Sequence, residues 1–379
     1  MQSRRPTPTS SDWLSEEIFA AADAYFDSLL EGIRQARYSI DMDYYIFDRD
    51  TLGEQLIEAL IHAAERGVQV RLIMDGIGSA EYAYSIAKTL SAAGVQVRIF
   101  HPHPFYPHLF RWSITQGNAL QKFVHFFLYI NHRDHHKLCI IDQQIIWTGS
   151  INITAKHLSR RLGGQNWHDC AVKLVDHTPS ALSECFNSLW NDARQSFNRS
   201  LASKVRSNLS FKLRRINNHL LFRRIRYARQ RIWICNAYFV PSPAILRAIH
   251  KACKNGVDIR LILPAKSDIQ IFPLISRSFY TKLLQWGVKI YEYQPDILHA
   301  KLMLVDDMCL IGSTNLNHRS YYHDLEMDIV LNRPTSIYQL ESMLLEDLQQ
   351  SREITATQIF RGPLEFLAAR LLRLFRYWI

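Results

Sequence analysis

Residues 135–152 read HHKLCIIDQQIIWTGSIN and residues 299–315 read HAKLMLVDDMCLIGSTN. Both carry one frame: His-x-Lys, four residues, Asp, a short gap, then Gly-Ser-x-Asn. The apolar runs on either side of the aspartate predict two strands joined by a turn, so each stretch is a hairpin. Residues two apart on a strand face one side, which makes His135 project with Lys137 and His299 with Lys301. Asp142 and Asp306 belong to the same frame but have the opposite parity and sit at the reversal. They are expected to organise the turn or orient a neighbour. A fold-back at Asp142-Gln143-Gln144 places Asn152 opposite His135 and Ser150 opposite Lys137. In the second copy it places Asn315 near His299 and Ser313 near Lys301.

Working outward from the frames, the same series of elements recurs. From Ala36 the chain reads ARYSIDMDYYIF, LGEQLIEALIHAAERG, VQVRLIM and IAKTLSAAGVQVRIF. From Ala228 it reads ARQRIWICNAYFV, PAILRAIHKACKNG, VDIRLIL and FYTKLLQWGVKIYEY. Each series is a strand, an amphipathic helix ended by Gly67 or Gly256, a second strand, and a helix ending near Gly94 or Gly287 before a third strand. The fold class is therefore α/β, in two similar halves. The expected divisions are a flexible tail at 1–11, a first domain at 12–198 with an aromatic insert at 101–133, and a basic connector at 199–227. A second domain follows at 228–362, then an amphipathic helix at 363–379.

At 379 residues the chain can bury two cores, and its 47% hydrophobic and 21% charged content excludes wholesale disorder. A formal charge of +10 favours an anionic partner, whether lipid headgroup, nucleic acid or phosphorylated substrate. The six cysteines show no Cys-x-x-Cys pairing and read as buried thiols in a reducing compartment. The opening MQSRRPTPTSSDWLSEE has no apolar core of a signal peptide, and no charge-free apolar run reaches the length of a membrane span. Any membrane contact is expected to be peripheral.

Each frame supplies an imidazole, an ammonium, a hydroxyl and an amide. Lysine offers charge, and Ser150, Asn152, Ser313 and Asn315 offer donors, for the non-bridging oxygens of a phosphate. Asp169, in NWHDCAVKL, and Glu326, in HDLEMDIVL, each precede an apolar run and are expected to accept from the second ring nitrogen of a histidine, fixing its tautomer. His125, His132, His135, His136 and His168 raise the alternative of a zinc site. Lys137 and Lys301 would set fixed positive charge beside such a metal, so no metal is expected, and His136 has the parity of a residue turned away from the site.

These motifs resemble the phospholipase D superfamily, and the bacterial cardiolipin synthases within it. The second resemblance rests on HAKLMLVDD…LIGSTNLNHRS with Glu326 following, NAYFVPSPAILRAI, DMDYYIFDRDTLGEQLIEAL and the Leu- and Arg-rich C-terminal end. It implies two phospholipase D-like α/β/α domains, each a mixed sheet flanked by helices, related by a pseudo-two-fold axis around one active site. The implied activity moves a phosphatidyl group from phosphatidylglycerol to the alcohol of a second lipid through a phosphohistidine, without a cofactor. His135 would be the nucleophile and His299 the acid/base. The implied location is the cytoplasmic face of the inner membrane, with no nucleic acid partner. A phospholipase D or a transferase with another acceptor is the nearest alternative, and a nuclease of the superfamily is a further one. Departures from the family pattern are His136, where arginine is usual, Ser150, where glycine is usual, and Asn317, in place of a frequent Asp. The aromatic insert and the stripe Leu364, Leu367, Leu371, Leu374 and Trp378 are candidates for contact with a membrane interface.

Overall fold

Helix boundaries follow from local chemistry. Asp50 precedes a helix and accepts from the backbone N–H groups of Leu52 and Gly53 at 3.1 and 3.0 Å. Ser242 caps another in the same manner, with Pro243 in the first turn where its missing N–H costs nothing. Gly67 and Gly256 follow these two helices at φ of 87° and 77°, the left-handed region that glycine enters without strain.

The structure is a computed structural model that describes residues 13–103, 105–115, 117–128, 132–177, 179–192, 204–360 and 362–375. The expected tail 1–11, Arg199, Arg376 and Trp378 lie outside the described residues. In the first half the order is β1 (Ser15–Phe19), α1 (Ala22–Gln35), β2 (Ser39–Tyr44), α2 (Thr51–Glu65), β3 (Gln69–Asp75), α3 (Ala83–Ala92) and β4 (Gln96–Phe100). It continues with α4 (Ala119–Leu128), β5 (Lys137–Ile141), β6 (Ile145–Gly149), β7 (Ala171–Val175) and α5 (Ala181–Trp190). The second half runs β8 (Val205–Ser207), α6 (Phe211–Arg226), β9 (Arg231–Asn236), α7 (Pro243–Lys254), β10 (Asp258–Pro264), α8 (Ile271–Gln285) and β11 (Lys289–Tyr293). Then come β12 (Lys301–Val305), β13 (Met308–Gly312), α9 (His318–Tyr322), β14 (Met327–Leu331), α10 (Pro334–Gln349), β15 (Ser351–Glu353) and α11 (Pro363–Leu372).

The strands form two mixed sheets, ordered β1-β7-β6-β5-β2-β3-β4 and β15-β11-β10-β9-β12-β13-β14-β8. In each, three parallel strands joined through helices lie beside an antiparallel meander. The fold class is thus the α/β class expected. The connector is different. Residues 205–226 are β8, paired antiparallel to β14, and α6, so they repeat β1, paired to β7, and α1. The second unit therefore starts by Val205 and not at Ala228. The basic composition of the segment obscured this: Arg206 and Arg214 are buried, Arg206 against Asp328, Thr314 and Asn218, and Arg214 on the carbonyls of Tyr322, His323 and Asp324.

Three apolar layers hold the molecule. One lies between the first sheet and α1 to α3, another between the second sheet and α6 to α8. The middle layer is common to both halves: Leu138, Ile140 and Val172 meet Cys235, Leu302 and Ile329, with α5 and α10 completing it. Burial of continuous apolar surface from both sheets stabilises one relative orientation of the halves.

The frames do form hairpins, β5–β6 and β12–β13, but the register is one residue from that expected. Leu138 pairs with Thr148 and Leu302 with Ile311, which sets Gly149 and Gly312, not the serines, across from the lysines. A one-residue shift turns every side chain to the other face. The glycines are required there, because a Cβ on Gly149 would lie 2.5 Å from Ala171 Cα and one on Gly312 2.2 Å from Met327 O.

Asp142 and Asp306 sit at the turns with φ of 51° and 53°. Asp142 accepts from the backbone N–H groups of Arg37, Tyr38 and Ser39, and Asp306 from those of Arg229, Gln230 and Arg231. Each aspartate ties its hairpin to the entry of β2 or β9. Asp142→Ala is expected to lower stability by about 1–3 kcal/mol, because three backbone N–H groups lose a charged acceptor, that of the buried Ser39 among them. Urea unfolding would measure it, and an unchanged midpoint would contradict the anchoring role.

Candidate active site

His135 and His299 stand just before β5 and β12, where both halves meet. Two isolated bridges join the halves there, Asp134 with Leu325 and His168 with Leu298. Each bridge pairs the residue before a histidine with the residue before its carboxylate in the other half. The backbone thereby carries Glu326 to His135 and Asp169 to His299. His135 Nδ1 lies 3.0 Å from Glu326 Oε2, and His299 Nδ1 lies 2.8 Å from Asp169 Oδ1. The pairing is crossed: the carboxylate for each imidazole comes from the opposite half. With Nδ1 donating to a carboxylate, Nε2 is the nitrogen left without a proton on the neutral ring. Neither Nε2 has a hydrogen-bond partner among the described residues.

Lys137 and Lys301 project beside their histidines, as their spacing predicted. Lys137 Nζ donates to His135 O at 2.8 Å and Lys301 Nζ to His299 O. Each ammonium also lies over a tyrosine ring, Tyr45 at 5.3 Å and Tyr238 at 5.9 Å from the centroid. Those tyrosines sit one position apart in the repeat, Tyr45 one residue past the β2 partner of Lys137 and Tyr238 two past the β9 partner of Lys301, and the sequence reading did not use them.

Ser150 and Ser313 were expected to donate to a phosphate; in the structure both hydroxyls bond to carboxylates. Ser150 Oγ donates to Asp169 Oδ1 at 2.6 Å and Ser313 Oγ donates to Glu326 Oε2. Each hydroxyl has one proton to give, and in each half it goes to the carboxylate. Each hydroxyl also accepts from a backbone N–H, of Cys170 or Met327. Asn152 and Asn315 are buried, and the side-chain oxygen of both is without a partner. Asp142 and Asp306, at the far ends of β5 and β12, do not reach the imidazoles; they are grouped with the reacting residues by sequence and separated from them by the length of a strand.

Burial dominates the electrostatics. It pushes the His135 imidazole well below its ordinary pKa, with Lys137 and then Lys301 adding to the effect. It lowers His299 to about 4, again assisted by Lys301. The same burial brings Lys137 down to about 7 and Lys301 to about 8. Lys301 acts on His135 and on Lys137, so the charges of both halves share one site. Burial raises Glu326 to about 7, whereas Asp169 is held well below the carboxylate range because His299 and His157 outweigh its burial. His157, which the sequence reading passed over, places Nδ1 2.6 Å from Asp169 Oδ2.

Two groups of side chains have the donor types and spacing of a cation site: His157, Asp169 and His299, and, beside the first frame, Asp43, Asp134 and His136. In the second group His136 Nδ1 lies 3.0 Å from Asp43 and 2.9 Å from Asp134. Burial opposes a charge on that imidazole, but the two carboxylates outweigh it and raise its pKa to about 10. His136 is thus a buried imidazolium between two acids, turned from His135 as its parity predicted. Among the described residues all six cysteines are free thiols. No described helix is long and apolar enough to cross a membrane.

Two stretches of the chain, 29–190 and 221–348, match the family model described as the PLD-like domain of cardiolipin synthase. Cardiolipin synthase 2 of Bacillus anthracis is 32% identical over 348 residues, covering 88% of this chain and 64% of that protein. Cardiolipin synthase of Alkalihalophilus pseudofirmus is 29% identical over 352 residues, covering 88% and 66%. The chain thus spans somewhat less than two thirds of the length of these curated relatives. Among solved structures, phosphatidylserine synthase of Haemophilus influenzae superposes with a TM-score of 0.65 at 12% identity, over 95% of this chain and 92% of that one. Polyphosphate kinase of Porphyromonas gingivalis gives 0.61 at 13% identity, over 95% and 53%. These two share the fold. The chain belongs to the phospholipase D-like family of the cardiolipin synthases.

A monoanionic phosphodiester should bind best when both lysines are protonated. Protons leave Lys137 and Lys301 as pH rises through about 7 and then about 8, so affinity should fall in that order. Calorimetry with a short-chain dialkyl phosphate, a monoanion throughout, would follow the decline. A flat profile across the same range would mean that the lysines do not hold the anion.

Proposed function

Taking that membership as the premise, we propose that the chain is a phosphatidyltransferase of the cardiolipin synthase type. It moves a phosphatidyl group from phosphatidylglycerol to the alcohol of a second phospholipid. The observation that carries this reading is the pair of buried imidazoles, each gripped at Nδ1 by a carboxylate of the other half, with Lys137, Lys301 and His299 all acting electrostatically on His135.

His135 Nε2 attacks phosphorus, and the bond from phosphorus to the glycerol oxygen breaks. The imidazolium form of His299 gives its Nε2 proton to the departing alkoxide. In the second step His299 Nε2 takes the proton of the incoming alcohol, whose oxygen displaces His135 from phosphorus. The phosphodiester brings a negative charge that offsets Lys301, which raises the proton affinity of His299 on binding. The division of roles between the histidines is supported by their carboxylates. Asp169 stays ionised and can stabilise an imidazolium, while Glu326, raised to about 7, does so less and leaves His135 a neutral nucleophile. Lys137 and Lys301 offset charge on the phosphoryl oxygens, joined by the Asn152 and Asn315 amides.

Incubation with phosphatidylglycerol alone is expected to give cardiolipin and glycerol, read by thin-layer chromatography. Phosphatidic acid as the product would mean hydrolysis and would sink the transfer reading. Enzyme trapped with labelled donor, denatured rapidly and kept alkaline so that the phosphorus–nitrogen bond survives, should carry its label on His135, and label on His299 would reverse the two roles.

Transfer to an alcohol in place of water needs a site kept from bulk solvent at a lipid surface. Exposed apolar side chains suit such a surface. Phe105 and Leu120 of the aromatic insert are 77% and 70% exposed. α11 packs on α8 with an Arg277–Glu365 pair at 2.6 Å and Ala369 buried, and presents Leu364, Leu367 and Leu371 outward, with Leu374 exposed in the turn that follows it. Lys212, Arg215, Arg223, Arg224 and Arg226 of α6 are exposed cations, each adding about 1 kcal/mol at an anionic leaflet. Leu364→Ser/Leu367→Ser/Leu371→Ser should weaken co-sedimentation with phosphatidylglycerol vesicles at least roughly tenfold, since each leucine buried contributes about 1.5–3 kcal/mol. Undiminished binding would dismiss α11 as a membrane contact.

A further inference from the structure

The two halves repeat each other around the imidazoles with a few substitutions, and one of them lies just past the asparagines. Five residues after Asn152 the chain has His157, and five residues after Asn315 it has Ser320. The two side chains differ in kind but occupy the same node of the hydrogen-bond network. The backbone N–H of Asn152 donates to His157 Nε2 at 3.3 Å, and that of Asn315 donates to Ser320 Oγ at 3.3 Å. Onward from that node, His157 Nδ1 meets Asp169 Oδ2 at 2.6 Å, whereas in the other half Glu326 Oε1 has no hydrogen-bond partner among the described residues and Ser320 acts on that carboxylate only electrostatically.

The carboxylates differ in the opposite sense. Asp169 is one methylene shorter than Glu326, and both must bring a carboxylate to an imidazole of the other half. A hydroxyl accepts and donates through one oxygen. An imidazole accepts at one nitrogen and donates at another across the ring, so it bridges a wider gap. We propose that His157 is a positioning residue for His299, a long bridge from the Asn152 backbone matched to the short Asp169, where the other half combines the small Ser320 with the long Glu326. This inference deepens the phosphatidyltransferase reading and rests on it for its catalytic consequence.

The tautomer follows from the geometry. Because Nε2 accepts from an amide N–H, the proton of His157 is on Nδ1 and is donated to Asp169. Asp169 Oδ2 is thereby occupied, which leaves Oδ1 for Ser150 and for His299 Nδ1. The His157 side chain is fully buried, its ring centroid 5.4 Å from that of His299 and 5.1 Å from that of Trp167. It has one orientation open to it, and through it Asp169 has one as well.

The test compares His157→Ser, Asp169→Glu and the double variant, which copies into one half the pair found in the other. Each single variant should lower kcat about 10–100-fold with little change in KM for the donor lipid, as loss of an outer partner of a functional histidine does. Each should also displace the limb of the pH profile that reports His299. The double variant should recover most of the lost turnover and restore that limb. Thermal unfolding of the same four proteins supplies a readout free of activity, since paired residues give a non-additive cycle. Recovery in kcat together with coupling in Tm supports the proposal. A double variant no better than the worse single one, at a melting temperature near that of the parent, overturns it, as do additive shifts in Tm. Should the parent chain transfer no lipid at all, the functional reading falls by itself, and the thermal cycle still decides whether His157 and Asp169 are a matched pair.

Discussion

Everything in the site depends on two hydrogen bonds that cross from one half of the chain to the other, Glu326 to His135 and Asp169 to His299. Neither His135 nor His299 takes the carboxylate at its Nδ1 from its own half. The bonds exist because the halves are docked in one way, through an apolar layer shared by both sheets and through backbone bridges beside each histidine. A carboxylate buried without its donors is costly, so the crossed pairs and the shared layer support each other. Slippage between the halves would strand two buried acids and expose apolar surface together.

The same burial creates the chemistry. Two imidazoles, two ammonium groups and two carboxylates are packed where water contributes little, so each shifts the others strongly. Lysines that would hold their protons on a surface are poised near neutrality, where the phosphodiester of the proposed reaction would fix them in the charged form. Burial and the lysines hold the imidazoles toward the unprotonated form. A bound anion would complete the charge balance of such a site.

The departures from two-fold repetition are where the halves specialise. The first half carries the aromatic insert between β4 and β5, and the second carries β15 and α11. Around the histidines the departure is smaller, His157 for Ser320 and Asp169 for Glu326. It leaves one carboxylate firmly ionised and the other near neutrality, a chemical difference between two groups that the repeat makes geometrically alike. His136, bound between Asp43 and Asp134, is a further single-sided feature, and it supports the backbone from behind the first histidine.

Periodicity along the sequence was enough to find the strands, the helices, the duplication and the hairpins. It was also enough to pair His135 with Lys137 and His299 with Lys301, and to assign Asp142 and Asp306 to turns. All of these follow from interactions between residues close together in the chain, or from parity on one strand. Register was already beyond it, because a three-residue turn after Ile141 and a two-residue turn after Val305 fix the pairing by backbone geometry. The one-residue difference directs Ser150 and Ser313 to carboxylates. The place of residues 205–226 was hidden for a related reason: Arg206 and Arg214 read as surface charge until Asp328 and the carbonyls after Tyr322 are brought to them. Which carboxylate serves which histidine was decided only by the docking of the halves, since Glu326 lies 191 positions from His135 and Asp169 lies 130 from His299. No local rule spans such distances; burial of a common apolar layer does.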